Sequence, residues 1–176
     1  MKKQSLPGYM SQPSIYSQPP GGSRTGPESR PGSGDVSGFV AFICDDDLWT
    51  VGLEGGRAHR ITANLGVVAE PAISPDGEQI AFAGTDGGIK DIYLTDAEGG
   101  SSRRLTYLGI SKLIGWKDAN TLLYTSAHES TSARVAYIYE LDLRSLDSKR
   151  LPVGPATDIS FGSKGRMVLG RHCRDS

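Results

Sequence analysis

The feature that most constrains this chain is a repeated sentence. Residues 47–62 read DLWTVGLEGGRAHRIT and residues 91–106 read DIYLTDAEGGSSRRLT, with an Asp, an aromatic and a double glycine at matching places. Trp49, Tyr93 and Tyr139 are 44 and 46 residues apart, and Arg60-Ile61, Arg104-Leu105 and Arg150-Leu151 keep the same step. A second landmark runs in phase. Ile73-Ser74-Pro75-Asp76-Gly77 is a turn with glycine where positive φ is needed. WKDAN (116–120) sets Asn120 in the place of Gly77, asparagine being the next most tolerant residue there, and FGSKG (161–165) restores the glycine as Gly165.

Between the landmarks lie short runs rich in β-branched and aromatic residues: FVAFIC (39–44), LWTVGL (48–53), QIAFAG (79–84), DIYLTD (91–96), TLLYTS (121–126) and AYIYELDL (136–143). Turn residues separate them, which is the punctuation of strands. Apolar residues at consecutive positions, as in Ile80-Ala81-Phe82-Ala83, predict strands covered on both faces. RRLT (103–106) and KRLP (149–152) are mostly polar and read as outer edges.

A period of about 40–45 residues with four short strands per unit is that of a β-propeller blade. The expected fold is all-β: an incomplete β-propeller of about three and a half four-stranded antiparallel blades. The blades fall near 39–62, 69–106 and 110–152, with the start of another at 156–171. Residues 1–16 form an N-terminal segment, of which 13–16 could complete the first blade. Residues 17–38 are almost wholly Pro, Gly, Ser and charge, and read as a disordered linker. The partial propeller occupies 39–176.

Composition narrows the function classes. A net charge of −1 gives no field toward nucleic acid or an anionic membrane. Cys44 and Cys173 form no CxxC pair, which argues against a zinc site or structural disulfide and for a reducing compartment. MKKQSLPGYMSQPSIYSQPP has no apolar run after its lysines, and no stretch approaches a membrane span. The reading is cytoplasmic, without nucleic-acid or membrane partners.

Nucleophilic catalysis needs a serine or cysteine beside an oriented base. His59 sits in an outer hairpin, His128 in the polar AHESTS loop and His172 near the chain end, and nothing in the sequence ties any of them to a nucleophile. Catalytic residues, metal ligands and cofactors are therefore expected to be none. Cys44, after FVAFI, reads as a small buried hydrophobe. Asp45-Asp46-Asp47 reads as one hairpin cap and two solvated carboxylates, because adjacent carboxylates diverge and cannot assemble a calcium shell. The glycines of GTDGG (84–88) precede no helix and so support no phosphate loop. Arg57, Arg60, Arg103, Arg104, Lys149 and Arg150 recur at equivalent outer-strand positions, as a solvated edge would. Trp49, Tyr93 and Tyr139 recur as core aromatics; the other reading is an aromatic-lined channel, and strand alternation leaves that open.

GYMSQPSIY, DDDLWTVGLEGGRAHRITANLGVVAEPAISPDGEQIAFAG, DIYLTDAEGGSSRRLTYLG and LPVGPATDISFGSKGRMVLGR, in that order, resemble the N-terminal propeller of the tricorn protease family. The resemblance covers residues 8–16 and 39–174. SPDG and the GG…RRLT hairpin occur in many TolB-type propellers, whereas DDLWTV, NLGVV, RLTYLG and GPAT…VLGR in sequence are more specific. The resemblance implies a large cytoplasmic serine peptidase of short peptides. In it a six-bladed propeller comes first, then a seven-bladed one, and the catalytic serine lies in a distant C-terminal core. The propellers there admit, filter or steer peptides. Two departures stand out. The family runs directly from its GY…PTI start into the first long strand, whereas here 17–38 intervene. Where the family can carry paired arginines suited to a peptide carboxylate, ISKLIGW offers only Lys112 as a candidate peptide contact.

Three readings follow. The chain is the N-terminal part of a tricorn-like peptidase, partnered by the remaining blades and catalytic domain of a longer parent chain. It is a stand-alone TolB/WD-repeat-like interaction module that completes its ring with a second copy of itself. Or it is a truncated product without function. An uncovered blade face of several hundred Å² costs on the order of 10 kcal/mol at ~25 cal/mol/Å², comparable to the whole stability of a domain. An isolated chain is thus expected to be marginal or adhesive.

Overall fold

The computed structural model describes residues 38–131, 135–156, 158–161 and 167–170. The expectations for 1–37, Gly165, His172 and Cys173 lie outside these residues. Thirteen strands and no helix occur among the described residues.

The strands form four antiparallel sheets. The first is β1 (Phe39–Cys44), β2 (Asp47–Gly52) and β3 (His59–Arg60). The second is β4 (Val68–Ile73), β5 (Gln79–Asp86), β6 (Ile89–Asp96) and β7 (Arg103–Arg104). The third is β8 (Lys112–Asp118), β9 (Thr121–Ser126), β10 (Tyr137–Asp142) and β11 (Ser148–Arg150). The fourth is β12 (Asp158–Phe161) with β13 (Met167–Gly170). These are the blades of an unclosed propeller.

Register makes the blades superposable. Trp49 pairs with Arg60, Tyr93 with Arg104 and Tyr139 with Arg150. On the other side Phe42 pairs with Trp49, Phe82 with Tyr93 and Tyr124 with Tyr139. Hence β1, β5 and β9 are equivalent. Blade 1 begins at its second strand, so no described strand pairs β1 where β4 pairs β5 and β8 pairs β9.

Blades 2 and 3 have two apolar faces because successive side chains alternate and both sides are packed. Ala41 and Leu48 meet Val68, Ile80, Phe82 and Tyr93 between blades 1 and 2. Ala81, Ala83, Ile92 and Leu94 meet Leu113, Leu122, Tyr124 and Tyr139 between blades 2 and 3. Leu123, Ile138 and Ala156 cluster on the far side of blade 3. Polar bonds reinforce the second junction. A bulge in β4 puts Glu70 at φ 55°. Its carboxylate accepts from Lys90 Nζ and from the Leu113 backbone N–H, each at 2.7 Å, and Trp116 Nε1 donates to the Ala72 carbonyl at 2.9 Å.

The landmark turns differ in detail from expectation. Gly77 has φ +80° and its N–H donates to Ser74 O at 2.9 Å. Asn120 has no positive φ. Asp118 pairs directly with Thr121, so Ala119-Asn120 is a tight two-residue turn, and a bulge between Trp116 and Asp118 absorbs the difference in length. Asp45-Asp46 is likewise a two-residue turn, with φ 49° and 62°, the positive values that such hairpins require.

Candidate functional site

Two regions of the described fold are left for interaction: the outer face of blade 1, and a cleft between blades 2 and 3.

Direct cross-strand pairs share a face, so Phe42 and Trp49 point to the side of blade 1 away from blade 2, with Val40, Val51 and Cys44. The corresponding pairs in the later blades are covered by the blade before. Phe82 and Tyr93 are 0% and 3% exposed, and Tyr124 and Tyr139 are 4% and 2% exposed. Val40, Phe42, Trp49 and Val51 are only half-buried. Trp49 is therefore a face residue rather than a core one, and its Nε1 donates to the Cys44 carbonyl at 3.1 Å. Cys44, expected to be buried, is a free exposed thiol. Its equivalents by register, Gly84 and Ser126, are buried. One cause serves both corrections: these side chains project where no described blade lies.

The periodic arginines are not merely a solvated edge. In blade 2 the fully buried Asp91 accepts from Thr106 Oγ1 at 2.7 Å and from the Gly109 backbone N–H at 3.2 Å, and pairs with Arg104 at 2.5 Å. Arg104 Nε in turn donates to the Thr106 carbonyl at 3.0 Å, and Thr106 Oγ1 accepts from the Ile92 N–H at 2.9 Å. Blade 1 repeats the latch with Asp47, Thr62 and Arg60. Asp47 is thus a buried anchor rather than a solvated carboxylate. Blade 3 has Tyr137 and Pro152 at the Asp and Thr positions, and the Arg150 guanidinium lies over the Tyr137 ring, 3.4 Å from its centroid. That cation–π contact replaces the ion pair.

The cleft has a volume of about 370 Å³. One wall is the chain from Leu105 to Ile110, which links blade 2 to blade 3. The other is Tyr124 and Tyr139 on β9 and β10, with His128, Glu129 and Leu146–Ser148. The His128 ring tilts over Tyr139, with centroids 4.9 Å apart, and its side chain is 21% exposed. Tyr139 donates to Glu129 Oε2 at 3.0 Å. Burial, and then this carboxylate accepting its proton, push the Tyr139 phenol up from 10.0 to about 12. The equivalent Tyr93 hydroxyl has no hydrogen-bond partner among the described residues.

Beside the cleft lie contacts that mimic a catalytic triad: His128 Nδ1 lies 3.0 Å from Ser126 Oγ, and its Nε2 lies 3.7 Å from Glu129 Oε1. No motif or spacing in the sequence signals this link. Ser126 is 1% exposed, however, and its hydroxyl donates to the Gly109 carbonyl at 2.7 Å. With that proton committed, Oγ accepts from the His128 backbone and from Nδ1–H. The imidazole is a donor to the serine and cannot be its base. His59 lies exposed on β3, opposite Thr50. Lys112 opens β8 opposite Thr125 and is half-buried, outside the cleft lining. No cluster of potential metal ligands occurs among the described residues, and no helix among them is long and apolar enough to cross a membrane.

The repeated four-stranded meanders, stacked face to face and left open at blade 1, define a β-propeller class of protein. Residues 35–176 match the family described as tricorn protease N-terminal beta propeller domain, and the chain belongs to that family. Tricorn protease homolog 1 of Streptomyces coelicolor is 35% identical over 126 residues, covering 70% of this chain and 12% of that protein. The tricorn protease of Thermoplasma acidophilum is 31% identical over 145 residues, or 76% and 13% of the two chains. A protein of Sulfurisphaera tokodaii described as a tricorn-like protease N-terminal subunit is 30% identical over 150 residues, or 80% of this chain and 74% of that one. The chain thus spans about an eighth of the two long relatives and most of the short one. The crystal structure of the tricorn protease superposes with a TM-score of 0.66 at 27% identity, over 74% of this chain and 14% of that one. TolB from Agrobacterium tumefaciens gives 0.57 at 25% identity, over 66% and 42%. The tricorn matches therefore outrank the TolB alternative.

Proposed function

We propose that this chain supplies the first blades of the propeller through which a tricorn-type serine protease admits or filters peptides, and that it contributes no catalytic group. Its neighbours in that role are further blades, packed on blade 1 as blade 1 packs on blade 2. The setting is cytoplasmic peptide turnover. The observation that carries the reading is the half-exposed Phe42–Trp49 pair at a position that both later blades bury. The Sulfurisphaera tokodaii relative, described as a subunit, supports assembly between chains.

Sedimentation of the wild-type chain and of Trp49→Arg, with and without the remaining protease, tests this. The wild type is expected to associate, and Trp49→Arg to stay monomeric with an unchanged strand signature in circular dichroism. A wild-type chain that remains a compact monomer under both conditions would overturn the reading. So would turnover of fluorogenic peptides by the chain alone.

A further inference from the structure

The blade 2–blade 3 cleft has an acidic lining. Among the described residues Glu129 and Asp147 line it and no lysine or arginine does, while the Arg104 guanidinium stands at its rim over the Tyr107 ring, 4.8 Å from the centroid. At its rim Tyr107 and Leu108 are consecutive, large and 67% and 73% exposed. Scattered apolar residues on a surface are ordinary, but a contiguous pair bordering a polar concavity is the form of a contact surface. The acceptor groups are also oriented. Tyr139 holds Glu129 Oε2, whereas Oε1 has His128 Nε2 only at 3.7 Å, beyond hydrogen-bond range. The Glu129 side chain is 51% exposed, so this oxygen remains available to a donor from outside.

We propose that the cleft binds a peptide segment through a basic side chain. The ammonium or guanidinium head lies against Glu129 and Asp147, and the aliphatic stem lies along Tyr107 and Leu108. Lysine and arginine carry this combination of apolar stem and charged tip. An acidic or purely apolar segment meets like charge or unpaired carboxylates here. The choice of a peptide rests on the proposed peptide-handling role; the preference for a cation rests on the cleft alone.

The test is binding to the full chain, read by calorimetry. The probes are N-acetylated peptide amides with a central arginine, lysine or glutamate, and an unblocked peptide without basic side chains. Arginine and lysine peptides are expected to bind and the glutamate peptide not. Glu129→Gln and Asp147→Asn should each weaken binding about fivefold, as expected of partly exposed ion pairs. Glu54→Gln, on the distant hairpin of blade 1, should leave binding unchanged. Asp147→Asn, on an exposed turn, keeps the test valid if Glu129→Gln disturbs Tyr139. Equal binding of the glutamate peptide, indifference to both substitutions, or binding of the unblocked peptide alone would overturn the proposal. Blade association, read by sedimentation, is untouched by these substitutions, so the two readings fail separately.

Discussion

Asp47 and Asp91 hold the same place in consecutive blades, yet their surroundings differ. The Asp91 side chain is fully buried and its Arg104 partner 26% exposed, whereas Asp47 and Arg60 are 12% and 48% exposed. Removing one member of a fully buried, hydrogen-bonded pair strands the rest, while in blade 1 the exposed Arg60 can turn to water and chiefly the Thr62 hydroxyl is left without its partner. Asp91→Ala should therefore cost about 3–5 kcal/mol, and Asp47→Ala less, about 1–3 kcal/mol, both read from urea unfolding. Equal losses would contradict the latch as described. Tyr139 makes a pH-dependent contribution. Its folded phenol titrates at about 12 and the unfolded one near 10.0. Between those values the unfolded chain has released a proton that the native state retains, so stability must fall as pH rises from 10.0 toward 12 and level off above. Below 10.0 both states are protonated and the contribution is complete. Thermal melts across that range, compared with Tyr139→Phe, isolate it. A slope unchanged in Tyr139→Phe would remove Tyr139 as its source.

At the scale of strands and turns, the loop from β3 to β4 is held by a backbone approach that only glycine allows. Gly66 has φ +67°, and a Cβ there would stand 2.1 Å from the Thr85 carbonyl oxygen. Gly66→Ala should destabilise by about 1–3 kcal/mol from backbone strain alone, with more from the clash; an unchanged unfolding midpoint would be incompatible with the close approach. Here the limits of the sequence are clear. Strands, hairpins and their phase follow from the alternation of apolar runs with Gly, Pro and Asp turns, and the period identifies the blade. The latch was written in DLW…RIT and DIY…RLT, but arginines recurring on outer strands look like solvent-facing charge until their partner is seen across the hairpin. Counting residues back from the aromatic strand would have shown that Asn120 does not fall on Gly77. The conformation of Leu146, at φ 62° in the third outer hairpin, has no local sequence signal. The cleft was illegible for a different reason: it exists only because residues 105–110 of one blade pack beside β9 and β10 of the next.

At the scale of the molecule, one rule organises the architecture: in blades 2 and 3 the aromatic pair is covered by the blade before it. Alternation along β2 told which residues share a face with Trp49, but not whether that face meets a neighbour or the axis. Register and burial in three blades answer this. The rule makes Trp49 and Cys44 reporters of whatever blade precedes the first. In Cys173→Ser, Cys44 is the remaining thiol of the sequence, and its alkylation can be timed in the isolated chain and in the assembled protease. The account predicts fast reaction in isolation and protection of at least about tenfold on assembly, as burial of that position in the next two blades implies. A thiol equally reactive in both states would show that no blade ever covers this face.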